Sequence, residues 1–174
     1  MYRIQITYSG PVPGSQNMRQ REWNNVVREA WRQVGLYWVN TYRPKHFTVA
    51  GAKEYGYDPR KGERGNLGPK GFKRSYTGRK LAKWGHTRPL VWSGRSEQAT
   101  RAARIHATAT RNKSGVEIFM NAPTLNLKNP HSQINMRAEM TRISPRETVE
   151  LVRLHRRTSE ALLRAIKTKT TVDT

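Results

Sequence analysis

Residues 45–94 read KHFTVAGAKEYGYDPRKGERGNLGPKGFKRSYTGRKLAKWGHTRPLVWSG, and they divide the chain into parts that can pack and a part that stays in water. Aromatic and apolar residues gather at the two ends, in HFTVAGAKEYGY and LAKWGHTRPLVWSG. Between Arg43 and Arg88 stand 13 Lys or Arg against three acids (Glu54, Asp58 and Glu63), with eight of the chain's 13 glycines. A composition of that kind cannot bury itself. The middle, residues 59–75, is therefore expected to project as a basic, glycine-rich loop, mobile until a partner orders it, from a core built by the rest of the chain.

Upstream, Tyr2, Ile4, Ile6 and Tyr8 alternate with Arg3, Gln5 and Thr7, the period of a half-buried strand, and SGPVPGS breaks it. Over residues 17–41 the set Trp23, Val27, Ala30, Val34 and Trp38, with Val26, Trp31 and Tyr37 beside it, recurs at three and four residues. This predicts a long amphipathic helix whose solvated face carries Arg21, Arg28 and Arg32. Asn17 followed by Gln20 fits a capping box, and Pro44 forbids continuation. Inside the opening stretch, residues 50–55 and 76–84 read as short helices closed by Gly56 and Gly85, since glycine accepts the left-handed conformation after a helix end.

Downstream, residues 89–92 read as a short strand, followed by a turn at Ser93-Gly94. Ile105, Ala107 and Ala109 alternate with His106, Thr108 and Thr110; Val116, Ile118 and Met120 alternate with Glu117 and Phe119. With residues 112–115 between them, these form a hairpin. Residues 122–137, with Pro123 and Pro130 and little periodicity, read as a long loop of the kind that docks on a partner. Ser144-Pro145-Arg146-Glu147 is a helix start, with serine as cap and proline at the first helical position. The helix is expected to run to about Lys167 and to bury Leu151, Leu154, Leu162, Ala165 and Ile166, leaving a frayed tail.

A length of 174 residues fits a single domain, residues 1–174, with room for a real core. Hydrophobic content is only 35%, but five Trp and seven Tyr supply large buried area per residue. A net charge of +21 and a pI near 11.2 call for a polyanion or an acidic protein surface as partner, because the field would otherwise repel itself. Without cysteine the chain has no disulfide, thiolate metal site or cysteine nucleophile. No run approaches the ~20 apolar residues of a membrane span. The alternating first residues resemble neither signal peptide nor anchor, so a soluble protein made in the cytosol, without a membrane partner, is expected.

Catalytic and metal constellations need clustered acids or histidines, whereas the 12 acids here are spread thinly and the five histidines stand apart. A two-metal nuclease would have only Glu54, Asp58 and Glu63 to work with locally. Ser93 lacks the glycine two residues before it that a nucleophile elbow requires, and GNLGPKG lacks the Gly-Lys-Ser/Thr ending of a phosphate loop. His46, His86 and His131 sit beside prolines or aromatics, where histidine satisfies backbone groups. Trp84 and Trp92 lie in short apolar elements and read as core. No catalytic residue, metal ligand or cofactor is expected. Arg60, Lys61, Arg64, Lys70, Lys73 and Arg74 are the contact candidates, for DNA phosphates or for an acidic protein.

At PLVWSGR, residues 89–95, the chain resembles the tail-completion or head-tail joining (neck) proteins of long-tailed phages, the group that includes Mu-type virion morphogenesis proteins. In that group a PL-x-x-SG or TG turn leads into short strands and a proline-containing turn opens the last helix. The matching positions are Pro89, Leu90, Ser93 and Gly94, then Ser144 and Pro145. The resemblance spans about residues 45–167 and departs at Arg95-Ser96-Glu97, where relatives carry an apolar residue, and at the basic insertion.

It implies an α+β fold, a small antiparallel sheet packed by a long N-terminal helix and a C-terminal helix, with long extended loops. It also implies a non-enzymatic structural virion protein, made in the host cytoplasm, that forms a homo-oligomeric ring between portal or connector and tail proteins, with DNA passing through the channel. The competing expectation, from charge alone, is a sequence-nonspecific nucleic-acid-binding protein acting through its basic loop.

Overall fold

The computed structural model describes residues 2–9, 20–126 and 134–172. Along the chain come β1 (Tyr2–Ser9), α1 (Gln20–Tyr37), α2 (Val49–Glu54), α3 (Pro69–Arg74), α4 (Tyr76–Trp84), α5 (Arg95–Ala99), β2 (Arg104–Ala109), β3 (Lys113–Met120), α6 (Met136–Met140) and α7 (Pro145–Val172). The fold is α+β, with one three-stranded antiparallel sheet in the order β1-β3-β2. Residues 10–15 of the expected break, Asn17 of the capping box, and His131 lie outside the described residues. The chain divides into two compact units, one of Met1–Tyr2, Thr41–Ala102 and Met120–Ser144, the other of Arg3–Asn40, Ala103–Phe119 and Pro145–Thr174.

The second of these is the sheet unit, and its hydrophobic patterning built it as expected. Trp23, Val27, Ala30 and Val34 on α1 are buried, while Arg21, Arg28 and Arg32 stay exposed. Along β3 the inward residues Ser114, Val116 and Ile118 are buried. The hairpin has the predicted strands but turns two residues early, with Ala109 opposite Ser114 and Thr110 hydrogen-bonded to Lys113. A side chain at Gly115 would lie 2.3 Å from the Ile6 carbonyl, so the close approach of β1 to β3 requires glycine there. Gly35 does the same for α1, where an added Cβ would meet Ile105 Cγ2 at 2.8 Å.

Trp31 joins three elements of this unit. Its indole Nε1 donates to Ser114 Oγ on β3 at 3.0 Å, and its ring centroid lies 4.3 Å from that of His155 on α7. Burial pushes the His155 imidazole below its usual range, against a hydrogen bond to the Val27 backbone. Pro145 opens α7 as expected, but the helix runs on to Val172 rather than fraying after Lys167. Leu151 is buried and Leu154 and Leu162 are half-buried, whereas Ala165 and Ile166 are exposed. Helix α7 has 28 residues and packs against α1, which has 18.

The other unit is made of short helices and turns. Helix α2 begins at Thr48, whose Oγ1 accepts from the Gly51 amide at 2.9 Å, and closes through Gly56 at φ +60°. Helix α4 has the predicted bounds: Ser75 Oγ accepts from the Gly78 amide at 3.1 Å, and Gly85 closes it at φ +69°. Residues 89–92 are not a strand. Leu90 and Val91 are buried in a turn with Leu90 in the left-handed region at φ 53°, and the sheet among the described residues consists of β1, β3 and β2. Gly94, at φ +83°, then starts α5.

Candidate functional site

The basic segment is less uniform than its composition implied, and part of it is helix α3. Its base is fixed by Arg60, which is only 7% exposed. The guanidinium forks onto the buried Glu139 carboxylate of α6, with Nη1 to Oε1 at 2.8 Å and Nη2 to Oε2 at 2.5 Å. Glu139 Oε1 also accepts from the Asp58 amide at 3.2 Å, and Glu63 Oε2 accepts from the Arg60 amide at 2.8 Å. Burial works to lower the Arg60 pKa, but the Glu139 carboxylate outweighs it and holds the group above its ordinary value. Arg60 is thus a structural anchor and not an exposed contact.

Around this pair lies a shell of rings. His46, fully buried, stacks on Tyr55 with centroids 3.9 Å apart and planes 4° from parallel, and its Nδ1 meets the Tyr57 hydroxyl at 2.5 Å. Burial pushes the His46 imidazole down to about 3, so it is neutral at physiological pH. Arg142 donates to the Tyr55 carbonyl at 3.0 Å and to that of Gly56, satisfying the end of α2. Buried backbone carbonyls at this helix end thus find a side-chain donor in Arg142.

Beyond the anchor, residues 61–70 are largely exposed, and the second half of the expected loop is helix α3, with Pro69 in its first turn. The loop is held down by contacts to the corner between α3 and α4. The Lys61 carbonyl accepts from the Thr77 amide at 3.4 Å, and a Cβ on Gly62, at φ +103°, would meet Ser75 Oγ at 2.4 Å. Ser75 itself donates to the Phe72 carbonyl at 2.7 Å while capping α4. Lys61, Arg64, Lys70, Lys73 and Arg74 are all exposed on this scaffold, and none has an acidic partner among the described residues.

Two further cations, Arg79 and Lys83, which the charge pattern of the loop did not single out, stand on α4; Lys83 is exposed and Arg79 lies at the solvent side of the same helix. Their neighbour Lys80 points inward, 2% exposed, with Nζ donating to the Arg88 carbonyl; burial lowers its pKa to about 8. Trp84 and Trp92, expected in the core, are 41% and 37% exposed. Lys83 Nζ lies 5.3 Å over the Trp84 ring, and Tyr76 packs against Trp92 with centroids 5.2 Å apart. They misread as core because each sits in a short apolar run, and only one side of such a run packs.

Of the turn residues, Leu90 is buried, Pro89 lines a cleft, Ser93 is exposed and Gly94 caps α5. That open cleft, of about 460 Å³, is also lined by Val49, Ala52, Tyr57, Phe72 and Glu63, among others. Among the described residues no three His, Asp or Glu side chains converge as a metal site, and no helix is long and apolar enough to cross a membrane. Glu139 was the one partner at the anchor that sequence reasoning missed. Its signal was its isolation, as the sole acid between Glu117 and Glu147. Comparison of the chain with protein-family models, with curated proteins and with solved structures finds no match.

Proposed function

We propose that this chain is a structural protein of the phage head-tail junction that assembles as a ring of identical subunits between portal and tail in the virion. The observation that carries the reading is the element order around the PLVWSG turn: the turn feeds α5 and then the β2-β3 hairpin, and Pro145 opens the last helix. Two further features support self-association. The strand order β1-β3-β2 makes β1 and β2 edge strands, whose outer backbone groups are a template for pairing with another copy. Helix α7 exposes Val149 and Val152, 49% and 57% accessible, side by side at a three-residue spacing.

A ring buries such edges and apolar residues subunit against subunit, which is how head-to-tail interfaces close. The chemistry is assembly, and no residue is given a catalytic role. The test is the solution mass of the purified protein together with class-averaged electron micrographs, alone and with its portal. Closed rings with a central opening support the proposal. A monodisperse monomer that never enters particles overturns it.

A further inference from the structure

We propose that the α3-α4 corner, with the loop folded against it, is a contact surface for the phosphate backbone of duplex DNA. The surface combines cations from three places: Lys61 and Arg64 on the loop, Lys70, Lys73 and Arg74 on α3, and Arg79 and Lys83 on α4. None has an acidic partner among the described residues, in contrast to Arg60 and Arg88, which the fold pairs with acids, and to Lys80, which it turns inward. Placement is what makes them a surface. The 3.4 Å bond from the Thr77 amide to the Lys61 carbonyl ties the loop to the corner, and the backbone of Gly62 comes so near Ser75 that a Cβ there would lie 2.4 Å from its Oγ. Gly78, whose added Cβ would lie 2.0 Å from the Phe72 carbonyl, lets α3 and α4 meet with only Ser75 between them.

Cations preset on short helices lose less freedom on binding than cations on a free coil, and unpaired ones release counterions from a phosphate backbone without first breaking an internal ion pair. Of the acids in this stretch of sequence, Glu63 is engaged by the Arg60 amide. Duplex DNA, with one phosphate charge for about every 1.7 Å of its axis, is the denser polyanion for such a set of cations, while the exposed tryptophans are each already engaged, Trp84 by Lys83 and Trp92 by Tyr76. The inference goes beyond the ring reading and does not depend on it.

The experiment is fluorescence anisotropy of the full chain with a labelled duplex of arbitrary sequence, about three helical turns long, at salt concentrations from about 50 to about 200 mM. With about five phosphates neutralised, the affinity falls about 500-fold across that range. The variant Lys70→Gln/Lys73→Gln/Arg74→Gln lowers the slope of log affinity against log salt by about 2.7, at about 0.9 for each phosphate no longer neutralised. The control Arg153→Gln/Arg156→Gln/Arg157→Gln removes equal charge from the exposed face of α7 and leaves the slope within about 0.9 of the parent. All three α3 side chains are exposed, so circular dichroism of the variant keeps a folding defect separate.

An equal fall in slope from both triple variants reduces the effect to net charge and overturns the inference, as does binding with no salt slope. Tighter binding to the single strand, or to polyglutamate of matched charge, overturns the choice of duplex DNA as partner. Mass and micrographs of the α3 variant keep the two proposals apart: rings that no longer bind DNA uphold both, and a monomeric parent that binds DNA as described upholds this one alone.

Discussion

At the scale of single residues, the anchor pair shows why a charge in a basic loop is not always a contact. Arg60 and Glu139 are 79 positions apart, and both are withdrawn from water. Removing one member leaves the other buried and unpaired, which costs about 3–5 kcal/mol, while an apolar pair of similar volume is far better tolerated. Arg60→Ala or Glu139→Ala is expected to lower the melting temperature by about 6–20 °C in a chain of this size, and Arg60→Met/Glu139→Leu by much less. Thermal denaturation of the three variants checks it; equal losses in all three would show that packing, not the stranded charge, sets the effect.

His46 gives the pH dependence. Its folded pKa of about 3 lies below the ordinary 6.5, so above pH 6.5 the ring is neutral in both states and its contribution is flat. As pH falls from 6.5 toward 3 the unfolded chain takes up a proton that the folded chain refuses. Stability then drops by about 1.4 kcal/mol per pH unit from this group. His155, shifted the same way, adds to the slope. Urea unfolding at a series of pH values from neutral down to about 4 should therefore show a shallower decline for His46→Gln than for the parent, and an unchanged slope would assign the acid sensitivity to other groups.

At the scale of elements, legibility followed whether the deciding residues lie close together in sequence. Helix α4 was readable to the residue because serine caps it and glycine closes it within the same short run. The hairpin and the start of α7 were readable for the same reason. Helix α3 was hidden among glycines, although Pro69 stood at the position where helices begin. The strand expected at residues 89–92 failed because a short apolar run carries no information about a partner, and among the described residues the sheet is built from β1, β3 and β2 alone. For the candidate site, the five exposed cations from Lys61 to Arg74 were legible as charge, whereas the burial of Arg60 and the addition of Arg79 and Lys83 depend on packing that composition does not encode.

The α3-α4 corner carries its own prediction. Gly78→Ala places a methyl 2.0 Å from the Phe72 carbonyl and 3.1 Å from the Lys73 Cα, both backbone atoms with little room to give. The gain in helix propensity, about 1 kcal/mol, does not offset forcing two helices apart. A net loss of roughly 1–3 kcal/mol is expected, with faster trypsin cleavage at Lys73 and Arg74 as the corner opens. Gly68→Ala, where a side chain meets nothing within 4 Å, is the matched control and should change neither.

At the scale of the whole molecule, charge is the dominant unbalanced force. Against 33 Lys and Arg the chain has 12 acids, and five of these, Glu29, Glu97, Glu117, Glu139 and Glu160, are in ion pairs with arginine among the described residues. Most cations therefore repel one another across a folded surface, and screening should relieve them. Raising salt from about 0.1 to about 1 M shortens the Debye length from about 10 to about 3 Å, and the melting temperature is expected to rise by several degrees. A ligand that binds the surface adds a separate increment. At a concentration about 100 times its dissociation constant it stabilises by about 2.7 kcal/mol, or about 5–11 °C here. Differential scanning calorimetry at fixed ionic strength, with and without duplex DNA, distinguishes the two: a rise with salt alone reports general self-repulsion, and a further rise with DNA, abolished in the Lys70→Gln/Lys73→Gln/Arg74→Gln variant, reports a defined surface. A melting temperature flat in salt would mean that repulsion among the unpaired cations does not limit stability.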